Sequence, residues 1–155
     1  METFKKIVNT FETIATKHYE IKSYHNGFLD EVDIAKLGQE DYYILYTEPG
    51  NTTINTGIIQ YEFTVYVLDM IQEDLTDRDD AFNRTLNILH DVINEFKQNL
   101  STISWVDDEI VLQLPISCEP FTAKFDNELT GWSSTLSIQA NNTNNLCNAP
   151  IIQNT

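Results

Sequence analysis

Three histidines, two cysteines and a dense run of carboxylates are the residues best suited to chemistry here, and their spacing assigns them little of it. His18, His25 and His90 form neither a His-x-x-x-His nor a His-Glu-x-x-His pattern, so the helix-borne zinc site of a hydrolase is missing. His90 falls beside an apolar helical stripe, where a boundary residue is a plainer reading than a base. Cys118 could act as a nucleophile only next to a histidine. Its setting, Leu114-Pro115-Ile116-Ser117-Cys118, reads instead as a small apolar residue at a strand end. Cys118 and Cys147 are too few for a disulfide framework and lack metal-ligand spacing.

Asp69, Glu73, Asp74, Asp77, Asp79 and Asp80 offer the hard oxygen ligands that calcium and magnesium take. An EF-hand loop also needs a central glycine, which this run does not have. The plainer reading is a solvated loop leading into a charged helix start. Gly27, Gly38, Gly50, Gly57 and Gly131 are scattered, so no loop cradles a phosphate, and the Gly-x-Ser-x-Gly elbow is missing. Carboxylate pairs abound, but a glycosidase needs a sugar cleft, normally in a larger chain. The expectation is therefore a protein that is not an enzyme, with no catalytic residue, no cofactor and no metal.

The elements that would carry these residues follow from periodicity. Phe4, Ile7, Val8, Phe11, Ile14 and Ala15 recur at three- and four-residue steps and predict an amphipathic helix at the N-terminus. A short strand over 21–24, a turn at 25–27 and a strand over 42–46 follow. Pro49 and Gly50 open a polar excursion to about Gly57, which predicts a long hairpin loop. Ile59, Tyr61, Phe63, Val65 and Val67 alternate with polar residues and predict a half-buried antiparallel strand. Thr76 and the carboxylates after it suit a helix start, and Phe82, Leu86, Leu89, Val92, Ile93, Phe96 and Leu100 continue it as an apolar stripe. Strands over 103–106 and 110–116, a loop over 120–128 and a strand over 132–138 complete the pattern. The predicted fold is α+β: a twisted, mainly antiparallel sheet with two amphipathic helices packed on one face. Residues 1–140 make a single domain, and the Asn-rich residues 141–155 make an arm or tail.

The 155 residues carry 24 Asp and Glu against 9 Lys and Arg, a net charge of −15. A grip on bare nucleic acid needs a basic stripe to release counterions, so that class is disfavoured, and so is docking on an anionic membrane. Residues 1–21 lack the unbroken apolar centre of a secretion signal, and no stretch reaches the roughly 20 apolar residues of a membrane span. Synthesis in the cytoplasm is expected. What remains is interaction chemistry. Tyrosines on adjacent strands, Tyr42, Tyr43 and Tyr46 against Tyr61 and Tyr66, can anchor an interface, although ordinary sheet decoration explains them as well. The polar segments 51–58 and 141–152 can order against a neighbouring subunit. The expected contact residues are Tyr43, Asn51, Thr52, Thr53, Ile54, Asn55, Tyr66, Asn144, Leu146 and Ile151.

Several stretches also carry a family likeness. They are Tyr61-Glu62-Phe63-Thr64-Val65-Tyr66-Val67-Leu68-Asp69 before an acidic helix start, then Cys118-Glu119-Pro120-Phe121-Thr122-Ala123-Lys124-Phe125-Asp126-Asn127, then Leu129-Thr130-Gly131-Trp132 and Leu146-Cys147-Asn148-Ala149-Pro150. With them the chain resembles small virion proteins from the neck and tail-joining region of tailed bacteriophages, most of all those of crAss-like short-tailed phages. It is similar, more distantly, to tail-terminator and tail-completion proteins. The resemblance implies a structural subunit in a homo-oligomeric ring, roughly six- or twelvefold, between the portal-bearing head and the tail. Its partners would be copies of itself and neighbouring neck, portal and tail proteins, and its location the virion. DNA would pass through the lumen without specific binding, since an acidic wall repels phosphate. The rival expectation is a soluble acidic protein-binding module, an inhibitor or a mimic of nucleic acid.

Overall fold

A computed structural model of the chain describes residues 3–28, 43–70, 78–102, 110–122 and 129–141. The elements run α1 (Thr3–Lys17), β1 (Ser23–Asn26), β2 (Ile44–Asn55), β3 (Ile58–Met70), α2 (Arg78–Thr102), β4 (Ile110–Leu112), β5 (Cys118–Thr122) and β6 (Leu129–Asn141). The strands form one sheet in the order β1-β2-β3-β6-β4, with β5 pairing the first half of β6 on the side where β4 pairs its second half. The architecture is α+β and mostly antiparallel, as the periodicity predicts. One pair departs from that: β1 runs parallel to β2, with Ser23 beside Ile44 and Asn26 beside Thr47. Alternation reports which face a residue takes and not the direction of its neighbour, so the parallel pair is invisible in the pattern.

Both helices lie on one face, over the main core. From α1 come Ile7, Phe11, Ile14 and Ala15; from α2 come Ile88, Leu89, Val92, Ile93 and Phe96, all buried. The sheet meets them with Leu45, Ile59, Tyr61, Phe63, Val65, Val67, Leu136, Ile138 and Ala140. Phe11 stacks on Phe96 at 4.4 Å and lies 6.2 Å from Phe63, so one aromatic group joins α1, α2 and β3. Asp79 and Asp80 occupy the first turn of α2, where the helix dipole favours negative charge. Trp132 of β6 donates its indole N–H to the Phe82 carbonyl at 2.9 Å, tying the start of α2 to the sheet.

Several local expectations are corrected. The predicted loop after Glu48 is strand: β2 continues to Asn55, paired with β3 from Ile58 onward, and only Thr56 and Gly57 turn. Pro49 and Gly50 sit at a register irregularity between Pro49 and Thr52, a place where a strand accommodates a missing N–H. Residues 120–122 of the predicted 120–128 loop belong to strand β5, held by β6 from Cys118–Ser134 to Thr122–Thr130. β1 includes His25 and Asn26, placed in a turn by the sequence reading. β4 is shorter than the predicted 110–116. The predicted strand over 103–106, the helix cap at Thr76 and the tail beyond Asn141 lie outside the described residues.

Candidate interaction surface

The far face of the sheet, away from the helices, divides along its strands. Near the start of β2, Tyr46 stands opposite Tyr66, their rings edge to face at 6.2 Å. Tyr66 in turn meets Phe121 of β5 edge to face at 5.9 Å. Ile44, Leu68 and Leu129 complete this second cluster, all buried. Phe121 pairs across the ladder with Gly131. Gly131 is obligatory there. Its φ is +151°, and an added Cβ would lie 1.9 Å from the Val67 carbonyl oxygen.

Further along the same strands the face turns polar. Thr64 and Thr135 hydroxyls meet at 3.3 Å, Gln60 donates to the Ser137 hydroxyl, and Gln113 donates to the Gln139 amide oxygen. Beyond them the outer half of β2 and its turn form an exposed edge ribbon, residues 50–58, laid along β3, whose Ile59 and Tyr61 are buried and paired with β6. Ile54 is 70% exposed, and Ile58, Val111 and Leu114 also show apolar surface. Ile58 is paired with Asn141, so β6 ends beside the ribbon. No charged residue occurs in 49–61, in 110–118, or anywhere from Leu129 to the end of the sequence. In a chain of net charge −15 this end of the sheet is neutral.

The predicted contact residues separate under this geometry. Asn51, Thr52, Thr53, Ile54 and Asn55 come together on the exposed half of β2. Tyr43 precedes β2 at the opposite end, roughly 35 Å away by strand rise, and packs against the main core. Its hydroxyl bonds the Arg84 guanidinium, which this bond and the nearby Asp80 and Asp69 hold above its ordinary pKa. Tyr66 is 5% exposed, and burial, with Glu48 adding to it, pushes its phenol up. Asn144, Leu146 and Ile151 lie outside the described residues. Val111, Leu114 and the hydroxyl and amide rows were not singled out from sequence. The alternation of outward Val111 with inward Leu112 is the signal that could have found the first.

The chemistry-bearing residues take structural partners. His18 accepts the Glu20 N–H on Nδ1 at 3.1 Å and meets Asp91 Oδ2 through Nε2 at 3.0 Å, bridging the end of α1 to α2. His90 lies beside Asn94 on the exposed side of α2, and His25 faces the Tyr46 ring. Cys118, expected to be buried, is half-buried at the start of β5. Among the described residues no group of three or more His, Cys, Asp or Glu could hold a metal ion. A cleft of about 370 Å³ opens between α1 and β1, lined by Glu12, Thr16, Ile21, Lys22 and Tyr24. Lys22 donates to the Tyr19 carbonyl at 2.9 Å.

No protein-family model and no curated protein matches the chain. The reading of function therefore rests on the ribbon, the charge map and the resemblance given above. No helix among the described residues is long and apolar enough to cross a membrane.

Proposed function

We propose that the chain is a non-enzymatic structural subunit of a ring in the neck or tail-joining region of a phage particle. The observation that carries this reading is the ribbon. This exposed edge arm, the outer half of β2, adds no buried residue to the main core of its own protomer, yet it is kept as strand against β3. Such an arm gains its stabilising contacts from a neighbour. In a ring, subunits meet head to tail through heterologous surfaces, which a projecting ribbon and an open sheet end can supply. The acidic balance of the rest of the chain fits a lumen that DNA crosses without adhering.

The test is assembly. Native mass spectrometry and negative-stain imaging of the chain, alone and co-expressed with portal-side and tail-side neighbours, are expected to give closed rings with an opening wide enough for duplex DNA. Monomers under every one of these conditions, or a closed oligomer with no opening, would overturn the reading.

A further inference from the structure

We propose that the open edge of β2, residues 50–55, is where a second copy of this chain adds its sheet by main-chain pairing. The inference rests on the subunit reading only in expecting self-association; a place in a virion is not required. β1 covers β2 from Ile44 to Thr47 and no further, and no other strand among the described residues pairs the outer side of β2. Asn55 and Ile58 close the two-residue turn. In an antiparallel ladder the pair next to a hydrogen-bonded closing pair leaves its main-chain groups facing outward, so Ile54 presents its N–H and C=O to the open side.

Natural edges of this kind are normally blunted with lysine or other charge. Here Pro49 and the register irregularity between Pro49 and Thr52 blunt only the base of the arm, and residues 50–55 carry no charge. Charge also selects the occupant. Two copies at −15 each repel one another, and like charges placed face to face across a contact are costly. They can meet with least repulsion where neither contributes charge, and residues 50–55 contribute none, Glu62 beside Gly50 marking the inner limit of that stretch. A basic partner would be drawn to the carboxylates of 69–80 and would have no preference for this edge. A neutral, hydroxyl- and amide-rich edge is therefore suited to a partner with the same acidity, another copy.

The test compares wild type with Ile54→Pro, Thr53→Lys and, on the exposed side of α2, Asn87→Lys, measuring mass by light scattering across concentration and salt. Ile54→Pro removes the outward N–H, and Thr53→Lys adds a charge beside it. Circular dichroism and melting confirm that each variant is folded. Wild type is expected to associate, and more tightly as salt screens the repulsion between copies over a Debye length of about 10 Å at 0.1 M. Both edge variants are expected to weaken association by more than about thirtyfold, the level of an interface hot spot, while Asn87→Lys matches wild type. A wild type monomeric at high concentration and high salt, or an oligomer indifferent to both edge variants, overturns the proposal. Rings that form normally in Ile54→Pro would remove the edge and leave the ring reading. An edge-dependent oligomer that never closes around an opening would do the reverse.

Discussion

At one end of β2 and β3, Tyr46 and Tyr66 stand opposite each other, buried against Phe121. At the other end of the same two strands Thr53 stands opposite Gln60, with Thr53 exposed and no charge nearby in sequence. The first end is covered on both faces, by helices on one and by the aromatic cluster's surroundings on the other. At the second, no strand among the described residues pairs the outer side of residues 50–55, and their side chains are exposed. The contrast shows that the outer half of β2 is strand without being buried, although Ile59 and Tyr61 across from it belong to the main core. The buried residues account for the fold, and the exposed edge is the surface proposed above for a partner.

The sharpest way to break that division is through its two glycines. Gly131→Ala at the buried end would drive a Cβ to 1.9 Å from the Val67 carbonyl at a φ of +151°. Both sides of the clash are backbone, so the cost should exceed about 4 kcal/mol, a large share of the roughly 5–15 kcal/mol that holds a domain together. Gly57→Ala in the turn also meets a positive φ, +83°, but has open space around it, and should cost only about 1–2 kcal/mol. Urea unfolding of the two variants measures the ratio. Equal costs would mean that the ends are not mechanically distinct.

Side-chain truncation gives the next largest difference. Phe96→Ala removes the ring stacked on Phe11 and should destabilise by about 3–5 kcal/mol. Ile54→Ala, at a position 70% exposed, should change stability by no more than about 0.5 kcal/mol while weakening self-association. Thermal melting and light scattering on the same two variants read the two effects separately.

Much of the buried end was legible in the sequence, and little of the ribbon was. The stripes Ile7, Phe11, Ile14 and Leu89, Val92, Phe96 announce helices because burial repeats every 3.6 residues, and Ile59 to Val67 announces a strand because burial repeats every two. The outer half of β2 gives no such signal, since residues 50–55 are all exposed. With periodicity silent, Pro49, Gly50 and the Asn and Thr residues read as loop, although Thr suits a strand once β3 lies beside it. β5 was missed for a related reason: Pro120 argues against a strand in general but is tolerated in one paired along a single side. Gly131 carried a usable clue, because a glycine inside an alternating strand often marks close approach of another backbone. Residues 51–55 were expected as contacts on composition and are exposed together on β2, whereas Tyr43 and Tyr66 were chosen by type, and type does not reveal which face a tyrosine takes.

A pH titration distinguishes the join between the ends. Tyr24 of β1 donates to the buried Thr47 hydroxyl at 2.7 Å, and Thr47 donates to Asn26 at 2.8 Å, so one short chain of bonds fixes the last point at which β2 is covered. Burial, with Glu12 adding to it against the Thr47 bond, pushes the Tyr24 phenol from 10.0 up to about 12. A raised phenol favours the neutral form in the folded state, so its contribution is complete below pH 10 and is lost as pH rises to about 12. The loss should be on the order of 2 kcal/mol. Phenolate absorbance should show late-titrating tyrosines, Tyr24 and Tyr66, and Tyr24→Phe should remove one of them together with its part of the alkaline decline. An unchanged decline in Tyr24→Phe would place the alkaline weak point elsewhere.

The smallest effect belongs to the helical layer, which packs on the face of the sheet opposite the Tyr46–Tyr66 cluster. His18 accepts the Glu20 N–H on Nδ1, so a neutral ring carries its proton on Nε2, facing Asp91. The contact ties α1 to α2 across 73 residues of sequence, but Asp91 is 57% exposed. Solvent screening limits such a pair to about 0.2–1 kcal/mol. A double-mutant cycle of His18→Ala and Asp91→Ala should return a coupling of that size in global stability. The same cycle should leave self-association unchanged, because neither residue approaches 50–55 in the sheet. A coupling well above that range would mean that helix docking limits the stability of the buried end. An effect on association would mean that the two ends of the sheet are not independent, and the division drawn from Tyr46–Tyr66 and Thr53–Gln60 would have to be abandoned.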